Sequence, residues 1–256
     1  LTVEELLVAE SDTLKVKSVE SGVARGQVIA CAANWARDMV NSPANYMTPG
    51  DMAEAAMKMA SVAGLSGTVL ERADMERLGM GVLLGVSQGS AQPPKFILLS
   101  YEGNPGGPKL ALVGNGITFD SGGISLKPGD GMEYMKDDMA GAAAVIAAMK
   151  AIAELKPSIN VLGLAACTEN LPSGAALKPG DVLKSMMGKT IEIISTDAEG
   201  RLILADAVAY AESLGATYIV DVATLTGAVS VALGRVRSGI VANCDKLARS
   251  IQAAAE

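Results

Sequence analysis

The sequence predicts an α/β fold: a central twisted, mostly parallel (mixed) β-sheet with helices on both faces. Three observations indicate this class. Apolar runs of strand length alternate with longer Ala-rich runs along the chain. The strand-like runs, such as KFILLSY at 95–101, are apolar at nearly every position, as in strands covered on both faces. Only 3% of residues are aromatic, so small aliphatic side chains must build the core, which suits helices packed closely on a sheet.

The elements follow from periodicity and from local stop signals. The first helix ends at the Asn41-Ser42-Pro43 stretch, and Pro49 suits the first turn of the second helix. A Gly-Asn-Gly run at 114–116 is predicted to end a strand. Helices are predicted over 22–40, 49–62, 75–84, 141–155, 202–214 and 247–255. Strands are predicted over 68–70, 95–101, 110–113, 159–166, 191–194, 217–225 and 238–242.

Composition excludes several classes of protein. The net charge of −7 argues against a nucleic-acid-binding surface, which needs clustered Lys and Arg. Three widely spaced cysteines form no disulfide framework and fit a reducing compartment. No apolar run reaches the length of a membrane span. The chain has no histidine, which excludes a Ser-His-Asp triad and a His-ligated zinc site, so a catalytic metal would need other ligands.

The 256 residues contain no internal repeat and no low-complexity linker, so we predict one domain over 1–256. The sequence stops in a helical run without the closing elements usual for this architecture. We therefore expect the domain to be truncated at its C-terminal end.

Charged side chains recur in three loops that follow predicted strands. They are Asp120 with Lys127, Asp137 with Asp138, and Asp197 with Glu199 and Arg201. Converging carboxylates without histidine suggest divalent cations held by oxygen ligands. The simpler interpretation stays open for each: Asp138 and Asp197 could cap helices, and Glu199 with Arg201 could be an exposed ion pair.

Several motifs follow one another in order along residues 22–244. The stretch STDAEGRL at 195–202 is similar to the NTDAEGRL signature of the leucyl (cytosol) aminopeptidase family, in its catalytic portion. GITFDSGGISLKP at 116–128 and MKDDMAGAA at 135–143 resemble two further family segments. ENLPSG at 169–174 and ATLTGA at 223–228 also match.

The resemblance implies a dinuclear metal-dependent exopeptidase that removes N-terminal residues, often Leu, through a metal-bridged water. It implies two divalent cations, zinc or manganese and possibly magnesium, with the free amine of the substrate on one of them. Carried over by position, Asp120, Asp138, Asp197 and Glu199 are metal ligands, and Asp120 and Glu199 bridge the two ions. By the same resemblance, Lys127 would polarise the substrate carbonyl or its oxyanion, and Arg201 would hold a bicarbonate that serves as general base. The substrate site would be lined by Met135, Thr224, Leu225 and Gly227.

One position departs from the family pattern. Asn115 stands where the family has a lysine that binds metal through its neutral amine. Two expectations stay open: the asparagine leaves one cation site weakened or shifted toward oxygen-preferring metals, or Asn115 or a water completes the ligand shell with little loss. A third reading is a catalytically impaired member that acts as a scaffold or binding protein.

The resemblance also implies a cytoplasmic protein that assembles as a hexamer and acts on peptides. From the acidic charge balance we expect no nucleic-acid partner, and from the lack of a span-length apolar run we expect no membrane partner. The family has an N-terminal domain of its own, which we expect to be absent here.

Overall fold

A computed structural model describes residues 5–255. Residues 5–224 form one compact unit and residues 225–255 form a second. The helices are α1 (Val16–Asn41), α2 (Pro49–Ala63), α3 (Arg72–Leu78), α4 (Gly81–Val86), α5 (Ala140–Leu155), α6 (Glu199–Ser213), α7 (Ala228–Leu233) and α8 (Asp245–Ala255). The strands are β1 (Ser66–Leu70), β2 (Lys95–Glu102), β3 (Lys109–Asp120), β4 (Asn160–Asn170), β5 (Val182–Lys184), β6 (Thr190–Glu192) and β7 (Tyr218–Val222). Three short 3-10 turns cover Ser87–Gly89, Met132–Asp137 and Thr196–Ala198.

The central sheet has five strands in the order β1-β2-β4-β3-β7. Strand β3 lies parallel to both β4 and β7, and β2 lies antiparallel to β4 and to β1. The sheet is therefore mixed, with a parallel part that ends in Asp120 and Asn170 and an antiparallel edge. The predicted α/β class is confirmed.

Both faces of the sheet are covered by helices. Along β2, Phe96 and Leu98 face one apolar cluster, while Ile97 and Leu99 face another, as the two-residue period of a strand requires. The first cluster takes its helical residues from α3, α4 and α6, and the second takes them from α1, α2 and α5. The resulting three layers explain why these strands are apolar at nearly every position.

The sequence prediction is wrong at the Gly-Asn-Gly run. Strand β3 continues through it to Asp120 instead of ending near Val113. Glycine is needed there for close packing, since a Cβ at Gly114 would lie 2.5 Å from the Cα of Ala142 at the start of α5. This close approach brings α5 against the strand that carries Asn115 and Asp120.

Three other elements differ from the prediction. The segment 75–84 is divided between α3 and α4 because Gly79 adopts a left-handed conformation with φ 73°. The strand expected at 191–194 is β6, which pairs with β5 in a separate two-stranded hairpin and not with the central sheet. No strand forms at 238–242 within the described second unit. That unit contains α7 and α8, and none of the helices described in either unit is long and apolar enough to cross a membrane.

Candidate metal centre

The centre is built first on the ends of two parallel strands. Asp120 closes β3 and is paired in register with Asn170, the last residue of β4. The carboxyl ends of parallel strands are where open α/β sheets place ligands. Both side chains are buried, with 2% of Asp120 and 5% of Asn170 exposed.

A second segment brings further acids to this edge. The 3-10 turn Thr196–Ala198 leads into α6, so Asp197 and Glu199 lie at the helix start. Carboxylate oxygens of Asp120, Asp197 and Glu199 all lie within 4.8 Å of one another. Two acids far apart in sequence from Asp120 thus share one small volume with it, which is the arrangement expected for an oxygen-ligated cation.

Thr196 holds this turn against the loop that follows β3. Its hydroxyl donates to the carbonyl oxygen of Gly122 at 2.6 Å and accepts from the backbone N–H of Ser125 at 2.8 Å. The backbone N–H of Thr196 donates to the Ser125 hydroxyl at 3.1 Å. Thr196 is 2% exposed, so these bonds are shielded from water and fix the spacing between Asp120 and Asp197.

Lys127 is the cation that faces the acids. Its Nζ lies 2.8 Å from Asp120 Oδ2 and 2.6 Å from Asp197 Oδ1. Burial alone would lower the pKa of Lys127, but the hydrogen bonds and charges of the two aspartates raise it well above its ordinary value. The amine therefore holds its proton throughout the physiological range.

Asn170 was not predicted as a site residue, although it lies in the ENLPSG segment. Its Nδ2 is 2.8 Å from Asp120 Oδ1, 2.9 Å from the Thr196 carbonyl oxygen and 3.2 Å from Glu199 Oε2. The amide thus connects the strand-end acid to the acid of α6. Asn170 lies beside Asp120 because of the register of β3 with β4, and the spacing of residues in the sequence does not reveal that register.

Asp138 adjoins the three-acid group on its Glu199 side and lies just before α5. Its Oδ1 accepts from Asn115 Nδ2 at 3.0 Å and from the hydroxyl of Thr224. Burial raises the pKa of Asp138, and the charges of Glu199 and Asp120 raise it further while the Thr224 bond opposes the shift. Burial and the charge of Asp120 likewise raise the pKa of Glu199. Burial and neighbouring acids, without enough nearby positive charge to offset them, therefore disfavour the ionised form of both carboxyl groups.

The simpler interpretations of the acids find no support in the described structure. The helix start at Asp197 is capped by the Ser195 hydroxyl, which accepts from the Asp197 backbone N–H at 3.2 Å. No side chain caps α5. Glu199 and Arg201 form no ion pair in residues 5–255; Glu199 is buried and Arg201 is exposed.

The remaining predicted residues are less closely tied to the acids. Arg201 extends from the first turn of α6 with no hydrogen bond or ion pair in the described chain. Met135 is half-buried in the turn Met132–Asp137, and Asp137 at its end is exposed. Thr224 contacts Asp138, as stated above. Leu225 and Gly227 belong to the second unit, Leu225 being exposed there.

Four carboxylates, from Asp120, Asp138, Asp197 and Glu199, thus lie near one another, and Lys127 forms ion pairs with two of them, Asp120 and Asp197. The buried oxygen of the Asn115 amide has no hydrogen-bond partner in the described residues. Clustered carboxylates and an amide carbonyl oxygen are the ligands that hard divalent cations take, so the residues fit such ions. The fold and site therefore define a mixed-sheet α/β protein with a cluster of acidic side chains at its strand ends, which is a candidate cation site.

Comparison with known proteins gives the family. The cytosol aminopeptidase family, catalytic domain, matches residues 34–256. The chain belongs to this family. It is 56% identical over 240 residues to a probable cytosol aminopeptidase of Solibacter usitatus, and the aligned residues make up 93% of this chain and 50% of that protein. It is 50% identical over 254 residues to a probable cytosol aminopeptidase of Alkaliphilus metalliredigens, covering 99% of this chain and 51% of that protein. The chain spans about half the length of the curated relatives it matches.

Proposed function

We propose that the site is a dinuclear, metal-dependent aminopeptidase centre that releases N-terminal residues, Leu among them, from peptides. The observation that carries this proposal is the group of three carboxylates within 4.8 Å, with Asp138 beside it. Membership in the cytosol aminopeptidase family supports the reaction class.

Asp120, Asp138, Asp197 and Glu199 would hold two divalent cations, zinc, manganese or magnesium. When bound, such ions polarise a carbonyl, lower the pKa of a water molecule and can take the free amine of a substrate. The buried hydrogen bonds of Asn170 and Thr196 keep the carboxylates in place, so little reorganisation is needed on binding.

Lys127 supplies the protonated donor. Its ammonium is shared between Asp120 and Asp197. Once the charge of these two aspartates is neutralised by bound cations, the ammonium can turn toward a developing oxyanion. Its raised pKa keeps the proton on Nζ, so Lys127 acts as an electrostatic stabiliser and not as a base.

Arg201 is proposed to hold a bicarbonate ion as the general base. Its guanidinium is exposed and engages no carboxylate in residues 5–255, and a guanidinium suits a planar anion of this kind. Met135, Thr224, Leu225 and Gly227 are proposed to line the substrate site. Assembly as a hexamer and a cytosolic setting are further proposals, supported by the family alone.

The test is hydrolysis of leucine p-nitroanilide by the chelated protein, with and without added Mn²⁺ or Zn²⁺. We expect a metal-dependent rate, no hydrolysis of the N-acetylated substrate, and loss of activity in Asp120→Asn. The matched control is Asp38→Asn, which alters an exposed aspartate of α1 and should keep the rate. A folded protein without any metal-dependent rate would favour the scaffold interpretation instead.

A further inference from the structure

Asn115 carries an unsatisfied polar atom in the core of the protein. It lies in the middle of β3 and is 0% exposed. Its Nδ2 donates to Asp138 Oδ1 at 3.0 Å, but its Oδ1 has no hydrogen-bond partner in the described residues. A buried acceptor left unpaired is unfavourable and rare in folded proteins, so it indicates a missing partner.

The surroundings of this amide are rich in negative charge. Asp138 is approached by the charges of Glu199 and Asp120. Lys127 forms ion pairs with Asp120 and Asp197 but none with Asp138 in the described chain. The hydrogen-bond donors to the Asp138 carboxylate in residues 5–255 are two neutral groups, Asn115 and Thr224. A cation beside Asp138 would therefore compete with no cationic side chain of the described residues for this carboxylate.

The amide of Asn115 can serve such a cation by giving up the hydrogen bond from its Nδ2 to Asp138. Its oxygen and nitrogen are nearly equal in size. The nitrogen faces Asp138 when that carboxylate is the acceptor, and the oxygen would face the same space when a cation lies there. A half-turn of the amide plane would point Oδ1 toward the space that Nδ2 faces now. The carbonyl oxygen and the Asp138 carboxylate would then present oxygen atoms to the same ion.

We propose that Asn115 is a ligand, through Oδ1, of the cation bound by Asp138. We call the site of this cation the second cation site. With the amide oxygen of Asn115 as a ligand, it is an all-oxygen site. Carboxylate and carbonyl ligands suit Mn²⁺ and Mg²⁺, whereas a nitrogen ligand suits Zn²⁺. The amine that the family pattern places at this position would favour zinc. The second site of this chain is accordingly shifted toward Mn²⁺ relative to an Asn115→Lys variant. This inference rests on the proposed two-cation function.

The experiment measures metal binding by the chelated 256-residue chain without substrate. Mn²⁺ is titrated and free Mn²⁺ is read by electron paramagnetic resonance, and Zn²⁺ affinity follows from competition. Asn115→Leu, which removes the oxygen at similar volume, should weaken the second Mn²⁺ by about 10- to 100-fold and leave the first unchanged. Asn115→Lys should lower the Mn²⁺-to-Zn²⁺ affinity ratio of that site by at least about tenfold.

Thr118→Val is the matched control. Thr118 lies on the same strand, is 1% exposed, and donates to the Thr168 carbonyl oxygen at 3.4 Å, not to an acid. We expect both Mn²⁺ affinities to be unchanged in this variant. Equal loss in Thr118→Val and Asn115→Leu would overturn the inference, because it would show a general effect of disturbing β3.

The outcomes separate the two proposals. Two bound Mn²⁺ ions with unchanged affinities in Asn115→Leu would overturn the ligand role of Asn115 and leave the aminopeptidase proposal intact. A wild-type chain that binds no divalent cation would overturn both. If Asn115→Leu does not fold, an unchanged Mn²⁺-to-Zn²⁺ ratio in Asn115→Lys overturns the inference. If neither variant folds, a crystal of the Mn²⁺-bound wild type decides, because Oδ1 must then lie within about 2.6 Å of the ion.

Discussion

Replacing Asn170 by aspartate tests whether this residue holds the carboxylates together. The new oxygen would stand where Nδ2 is, 2.8 Å from Asp120 Oδ1 and 3.2 Å from Glu199 Oε2. Two unit charges 4 Å apart repel by about 4 kcal/mol at an effective dielectric constant near 20. Two such pairs would approach the whole stability of a domain, about 5–15 kcal/mol.

The new carboxyl group will limit this cost by taking up a proton at neutral pH. We therefore expect Asn170→Asp to lower the free energy of unfolding by about 3 kcal/mol in chelator. This is the lower end of the range for leaving a buried charge without its partner. For a chain of this size, that loss lowers Tm by about 6–12 °C.

Divalent cations should reverse this loss. Mn²⁺ at 100 times its Kd stabilises a folded protein by about 2.7 kcal/mol per site, and the additional carboxylate gives Asn170→Asp one more ligand. The assay is thermal unfolding followed by circular dichroism, with chelator and with added Mn²⁺. The gain in Tm on adding Mn²⁺ should be larger for Asn170→Asp than for the wild type.

Asn160→Asp is the matched control. Asn160 begins the same strand and is also 5% exposed, but its Nδ2 donates to the backbone oxygens of Asn104 and Gly107. Asn160→Asp should lose stability without any extra gain from Mn²⁺. An Asn170→Asp variant as stable in chelator as the wild type, or equal Mn²⁺ gains in both variants, would refute the reasoning.

Three further predictions concern other buried groups. The buried carboxylate of Asp206 accepts three backbone N–H groups, so Asp206→Asn should lower the free energy of unfolding by at least about 2 kcal/mol in urea titrations; an unchanged midpoint would contradict this. Burial raises the pKa of Cys167 to about 12, so at pH 8 a thiol reagent should modify exposed Cys31 readily and Cys167 only after unfolding; equal rates would be contrary. The pKa values of Asp138 and Glu199 are raised, to about 8 and about 7, so the folded state binds more protons than the unfolded state and the chelated protein should lose stability as pH rises from about 4 to 8; a rise over that range would contradict the sign.

Much of the fold could be predicted because both faces of the sheet are buried. This burial gives β2, β3 and β4 long apolar runs, and it makes α5 Ala-rich where it packs on the sheet. The ends of helices and strands are harder to predict from the sequence. Gly114 has the local signature of a turn but is required by helix packing, which no local pattern reveals. The 191–194 run has strand character, and only tertiary pairing places β6 in a separate hairpin.

The candidate site was predicted to a similar extent. The three loops with Asp120, Asp138 and Glu199 could be found from residue type and family likeness, and the structure brings them together. The roles of Asn170 and Thr196 could not be found in this way, because a neutral amide and a hydroxyl have no charge signature. Their hydrogen bonds depend on strand register and on contacts between loops about 70 residues apart, as Ser125 and Thr196 show.

Anomalous X-ray diffraction from a crystal of the Mn²⁺-loaded chain tests the central claim most directly. The account predicts two anomalous peaks among the carboxylates of Asp120, Asp138, Asp197 and Glu199, with the Lys127 ammonium turned away from Asp120 and Asp197. Peaks confined to other surfaces, or an unchanged Lys127 bridge with no peak beside it, would contradict the account.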